Sequence, residues 1–170
     1  GPQQAAPPLD FDGDPQLAVP YIDSNGDIAV VDRNRNNAVL VTPGSTAPIG
    51  SGTYGGSDVI AYVDGDNHIG LVDESGTSTV PTAGNNRNGN KNGFGAQAIS
   101  GPANVDSDGA NEIYYVTDSG TIAYLDPGGG NPSESDTGYT IQSGSAAISD
   151  PADFDGDGEA EVAVKSGSAP

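Results

Sequence analysis

Three stretches of the chain share one order of apolar and polar positions. Leu17 to Asp32 reads LAVPYIDSNGDIAVVD, Asp58 to Asp73 reads DVIAYVDGDNHIGLVD, and Glu112 to Asp126 reads EIYYVTDSGTIAYLD. Each is an apolar run, a polar turn, a second apolar run and a closing Asp. A fourth copy begins at Glu161 as EVAVKSG. The closing residues Asp32, Asp73 and Asp126 lie 41 and 53 positions apart, periods that suit a four-stranded unit repeated in series. The runs hold 4 to 6 residues rich in Val, Ile and Tyr and are bounded by Gly, Asn, Asp and Ser, so they predict strands. Ser24-Asn25-Gly26-Asp27, Gly65-Asp66-Asn67 and Ser119-Gly120 supply the turns; Asn-Gly accepts the positive φ of a tight hairpin. A third strand per unit is expected at Ala38–Thr42, Ser78–Thr82 and Gly138–Gln142, and a strand ahead of each acidic loop at Gly95–Ile99 and Ser145–Ser149. No window carries a convincing 3.6-residue apolar period, so almost no helix is expected.

The predicted fold is therefore all-β: a propeller-type array of about three and a half four-stranded blades joined by hairpins. It forms one domain over residues 1–170, with units near 9–48, 49–93, 94–142 and 143–165, the last incomplete. The polar stretch GNNRNGNKNG, Gly84 to Gly93, reads as a surface loop between units, with a ligand-contacting loop as the alternative. Three accounts fit the half unit: a piece of a longer array, a compact irregular domain, or strands supplied by a neighbouring subunit across an open edge.

Composition narrows the function classes. Leu, Ile, Val and Phe number 31 of 170 residues, about 18%, a proportion that by itself borders on disorder. Their grouping into recurring blocks argues for order instead. With no Cys there is no disulfide framework, thiolate metal site or cysteine nucleophile. A formal net charge of −19, from 24 acidic and 5 basic residues, opposes nucleic-acid binding. Asp outnumbers Glu 19 to 5; self-repulsion on that scale is screened by salt, a pattern resembling proteins of extreme halophiles. No apolar run approaches the roughly 18 residues of a membrane span, and no signal peptide is seen. Gly1-Pro2 is either a mature terminus or a cloning remnant. The only Asn followed by a hydroxyl residue two places on, Asn131, precedes Pro132, so N-glycosylation is not expected.

The chemistry lies in the acidic loops. Asp153, Asp155, Asp157 and Glu161 put side-chain oxygens at positions 1, 3, 5 and 9, with Gly158 at position 6 and the Glu159 carbonyl at position 7. Ca²⁺ takes 6 to 8 oxygens at about 2.3–2.6 Å, and this alternation turns successive oxygens toward one point. Without a cation, five carboxylates in nine residues would repel. A second loop keeps the spacing as Asn104, Asp106, Asp108, Ala110 and Glu112, with fewer carboxylates and weaker expected affinity. In the first unit Asp10, Asp12 and Asp14 remain, but Pro15 replaces the glycine, the loop reads one residue shorter and Leu17 stands where the others have Glu. In the second unit Gly50, Gly52 and Tyr54 stand in the first three ligand places and only Asp58 remains. EF-hand and dockerin loops need flanking helices, whereas EVAV and EIYYV are strands.

The loops DFDGDGEAEVAV and NVDSDGANEIYYV, with Phe94-Gly95 upstream of the second, resemble FG-GAP/VCBS-type repeats over roughly residues 5–165. The resemblance implies a β-propeller blade whose aspartate loop, between its first two strands, holds Ca²⁺. It maps Asp153, Asp155, Asp157 and Glu161, and Asn104, Asp106, Asp108 and Glu112, onto the metal ligands. It also implies an extracellular, cell-surface role in adhesion, matrix contact or surface architecture; some members accompany polysaccharide-active enzymes.

No enzyme is expected. His68 is alone on a turn, no Ser-His-Asp set is suggested, and the paired carboxylates stand at metal spacing rather than as a glycosidase pair. Tyr62, Tyr114, Tyr115 and Tyr124 fall in predicted strands and read as packing residues, with a sugar-stacking platform as the alternative. The expected function is a calcium-stabilised structural or adhesive surface module. The alternatives are a filament subunit joined by strand complementation and a carbohydrate-binding module. Candidate partners are calcium ions, copies of itself, other surface proteins and glycans.

Overall fold

The computed structural model describes residues 4–10, 17–32, 37–42, 49–81, 94–105, 108–127, 133–141 and 146–165. Its strands form four open antiparallel sheets, each in chain order. Sheet I holds β1 (Gln4–Ala5), β2 (Val19–Ile22), β3 (Ile28–Val31) and β4 (Asn37–Val41). Sheet II holds β5 (Gly50–Tyr54), β6 (Ser57–Val63), β7 (Ile69–Asp73) and β8 (Ser78–Thr79). Sheet III holds β9 (Ala98–Ala103), β10 (Glu112–Val116), β11 (Thr121–Asp126) and β12 (Ser133–Thr140). Sheet IV pairs β13 (Ala147–Ile148) with β14 (Val164–Lys165). The described residues contain no helix. The all-β class, the serial four-stranded units and the central hairpins agree with expectation, while the sheets stay open rather than forming a demonstrated ring.

Several strand limits differ from the sequence reading. β9 starts later than Gly95–Ile99; Gly95 instead makes an isolated bridge to His68. β12 starts at Ser133, well before the expected Gly138, because SESDTGYT has no apolar alternation and lies largely exposed. Thr82, Gln142 and Ser145, and the stretch Gly84–Gly93, lie outside the described residues. The larger correction is in the second unit. Gly50, Gly52 and Tyr54 are not loop positions but part of β5, which runs straight into a two-residue turn: Thr53 pairs with Asp58 and Tyr54 with Ser57. Gly55 and Gly56 both have positive φ, 59° and 84°, the geometry of a type I′ turn.

Burial explains the order of the sheets. Sheet II is apolar on both faces. Val59, Ala61 and Val63 join Ile113, Tyr115, Ala123 and Leu125 of sheet III in one core. Ile60, Tyr62 and Val72 join Ile22 and Ile28 of sheet I in another. Each fully buried Ile or Val contributes roughly 1.5–3 kcal/mol. Tyr62 lies across its pairing partner Gly70, where a Cβ would sit 2.2 Å from the ring. Tyr115 faces Ala123 and Tyr21 faces Ala29 in the same register, so the aromatic-over-small pair repeats through three sheets. The first strands of sheets II and III approach backbone to backbone. A Cβ on Gly50 would lie 2.2 Å from the Gly101 nitrogen, and one on Gly101 would lie 2.8 Å from the Ser51 carbonyl oxygen.

The hairpin turns share one chemistry. Asp23 Oδ1 accepts the N–H groups of Asn25 and Asp27, Asp64 Oδ1 those of Asp66 and His68, and Asp73 Oδ1 those of Ser75 and Thr77. In sheet III the Thr117 hydroxyl accepts the Thr121 N–H instead. The fourth turn residue takes positive φ each time: Gly26, Asn67, Gly76 and Gly120. This is the three-residue loop closed by a left-handed residue, and closing Asp73 is itself the first residue of such a turn.

Gly50→Ala is expected to destabilise the chain by about 1–3 kcal/mol or more, because backbone rather than a movable side chain meets the new methyl; urea denaturation measures it. The Ser75 hydroxyl and then the Thr77 N–H hold the Asp73 carboxyl below its ordinary value of 3.8. A depressed folded pKa gives stability that is present above the unfolded value and lost as pH falls through the folded one. Asp73→Ala should therefore lower the melting temperature at neutral pH, with the gap to wild type closing in acid, as followed by thermal melts across pH.

Candidate metal centre

Three loops have the same frame. Residues 10–17, 104–111 and 153–160 lie between the pairs Leu9/Ala18, Ala103/Glu112 and Ala152/Glu161. All three are therefore eight residues long, so the first is not one residue shorter than the others. The residue at the Glu112 and Glu161 place is Ala18, not Leu17, which is 57% exposed. Counted from the hairpin turns, whose first residues are Asp64 and Thr117, the counterpart in sheet II is Val59, not Asp58. Asp58 accepts the Thr53 hydroxyl at 2.6 Å. Neither of the first two units keeps a carboxylate at that position.

The loop at 153–161 brings its acids together. Asp153, Asp155, Asp157 and Glu161 each offer a carboxylate oxygen, all within 4.8 Å of one another, and the three aspartates are exposed. Backbone amides orient them. Gly156 and Gly158 N–H donate to the two oxygens of Asp153, Asp157 N–H to Asp155 Oδ1 and Glu159 N–H to Asp157 Oδ1. Gly156 and Gly158 have φ of 84° and 95°, which lets the chain double back. The Glu161 Oε2 reaches across to accept the Phe154 N–H at 2.8 Å. Glu159 is half-buried, and its side chain stays outside the set of four. The donors are all hard oxygens, the set that suits an oxygen-seeking divalent cation rather than a softer metal.

The loop at 104–112 has the same frame with fewer charges. Glu112 is 1% exposed, and its Oε2 accepts the Val105 N–H at 2.9 Å, the counterpart of the Glu161 contact. Ala110 N–H donates to Asp108 Oδ1 at 2.7 Å. Asn104 is half-buried, and its carbonyl accepts the Ala160 N–H of the next loop at 3.1 Å. Asn111 Nδ2 donates to the Thr53 carbonyl at 2.8 Å, tying the loop to sheet II. Burial first, then the Asp126 and Glu112 carboxylates, push the nearby Tyr54 phenol above its ordinary pKa. Asp106 lies outside the described residues, as do Asp12 and Asp14 of the first loop. Asp10 is exposed and lines a recess of about 560 Å³ with Asp58, Asp73 and Glu74. That grouping across sheets I and II has no signal in local spacing.

His68 is half-buried on its turn, with Nδ1 3.8 Å from Asp64 Oδ2. Tyr62 and Tyr115 are core residues, 3% and 1% exposed. Tyr114 and Tyr124 meet edge to face, ring centroids 5.9 Å apart, and both are half-buried. No helix among the described residues is long and apolar enough to cross a membrane. No protein-family model matches the chain, and no curated protein matches it.

Proposed function

We propose that the chain is a calcium-stabilised, non-enzymatic structural or adhesive module of the cell surface, built on propeller-type blades. The observation that carries this reading is the convergence of Asp153, Asp155, Asp157 and Glu161 oxygens to within 4.8 Å. A bound Ca²⁺ supplies the positive charge that offsets their mutual repulsion. Asp153 holds the loop's own amides, and Glu161 joins the loop to the strand that follows, so the set bridges both sides of the hairpin mouth. An ion held there ties one strand to the next and stiffens the unit. Asn104, Asp106, Asp108, the Ala110 carbonyl and Glu112 form the weaker second site. Asp10, Asp12 and Asp14 form at best a partial one, since Ala18 brings no carboxylate. The extracellular placement rests on the calcium reading and the FG-GAP/VCBS resemblance.

A second reading is a filament subunit joined by strand complementation. It is favoured by sheet IV, where β14 pairs on one side, with β13, among the described strands. Electron microscopy of the native material separates the two readings.

Because a cation that binds only the folded chain stabilises it by mass action, the melting temperature should be higher in millimolar calcium than in chelator. Asp155→Ala should lower it in calcium and change it little in chelator. Coincident wild-type melting curves under the two conditions would sink the site assignment.

A further inference from the structure

Sheets I, III and IV share a feature that lies outside the carboxylate set. Adding 94 to the β1–β2 pairs gives the β9–β10 pairs, and adding 49 to those gives β13–β14 and its bridge. The correspondence includes a bulge in the first strand just before the loop, where one extra residue opposes the second strand. In sheet IV this leaves the Ala163 N–H facing Ser149. The Ser149 hydroxyl accepts that N–H at 2.9 Å and donates to the Asp150 carbonyl at 2.9 Å, while the Ser149 N–H donates to the Ala163 carbonyl at 2.9 Å. In sheet III, Ser100 repeats both hydroxyl contacts, accepting from Tyr114 N–H at 3.1 Å and donating to the Gly101 carbonyl at 2.9 Å. The same two places in sheet I hold Ala6 and Pro20: one lacks the hydroxyl and the other lacks the N–H.

The serine clamp and the loop-closing glutamate go together. Both are present in sheets III and IV, and both are missing from sheet I, where Ala18 closes the loop. Sheet I keeps the bulge without the hydroxyl, so the serine is not needed to make the bulge. Its distinct effect is a second tether between the strand before the loop and the strand that carries Glu161, set three residues from the hairpin mouth. We infer that Ser149, and Ser100 in its own sheet, are positioning residues for the cation loops, fixing the glutamate carboxylate against the aspartates across the hairpin mouth. This rests on the cation reading of the 153–161 loop.

The test uses the whole chain, titrated with Ca²⁺ by calorimetry, with Asp155→Ala as the zero for that loop and melting in chelator recorded separately. Ser149→Ala should weaken calcium binding at that loop by on the order of ten-fold, the scale at which groups supporting metal ligands act. Ser149→Thr keeps the hydroxyl and should keep the affinity. The double variant Ser149→Ala, Ala163→Pro copies the Ala6/Pro20 pair and removes the stranded donor. It should melt in chelator like wild type yet still bind calcium weakly. Wild-type affinity in Ser149→Ala, or recovery of affinity together with stability in the double variant, overturns the positioning role and leaves a hydrogen-bond filler. A wild-type chain that takes up no calcium instead refutes the cation reading, and this inference falls with it.

Discussion

The antiparallel pairing of the first two strands in each sheet is the constraint on which the loops depend. Where that pairing contains a bulge, the strands reach the hairpin mouth in one register, and eight residues span it in all three cases. The bulge also stands the residue after the loop opposite the residue before it. A glutamate there can reach back to the second loop amide, as Glu112 and Glu161 both do. In sheet II the register is unbroken from Gly50 to Tyr54, and the chain turns in two glycines instead. That sheet is held by burial on both faces, with its first strand against sheet III through Gly50 and Gly101.

A chain with 24 acidic and 5 basic residues cannot neutralise its carboxylates internally. Many of them instead accept backbone N–H groups, at the Asp23, Asp64 and Asp73 turns and again within the 153–161 loop. These hydrogen bonds satisfy donors that turns leave without ladder partners, and at Asp23 and Asp73 they hold the carboxyl below its ordinary value. At 153–161 the same acids shape the backbone and form a set that could hold a metal ion. Besides their shared apolar cores, neighbouring units meet in polar contacts near the loops, Asn111 to Thr53 and Ala160 to Asn104.

The hairpins and the 153–161 loop were legible from the chain alone because both are local. Runs of Val, Ile and Tyr with short polar turns specify strands and their connections within about fifteen residues, and the acids at alternate positions of the 153–161 loop converge locally. The β12 strand was misplaced because its polar sequence has no apolar period; its pairing comes from the β11 edge beside it. The Leu17 and Asp58 alignments failed for a related reason. Both were set by where the apolar run begins; counted back five residues from the turn residues Asp23 and Asp64, the place of Glu112 falls on Ala18 and Val59.

The amino-acid order by itself determined the all-β class, the serial units, the hairpin turns and the acids of the last loop. These depend on side-chain period and turn chemistry between near neighbours. Tertiary structure alone decided the common eight-residue loop frame, the absence of a loop in sheet II, the paired Ser149/Ala163 and Ala6/Pro20 solutions, and the placing of Asp10 on one recess with Asp58, Asp73 and Glu74. Each of these requires two strands or two sheets to be in register, and that register follows from hydrogen bonds and burial between segments distant in the chain.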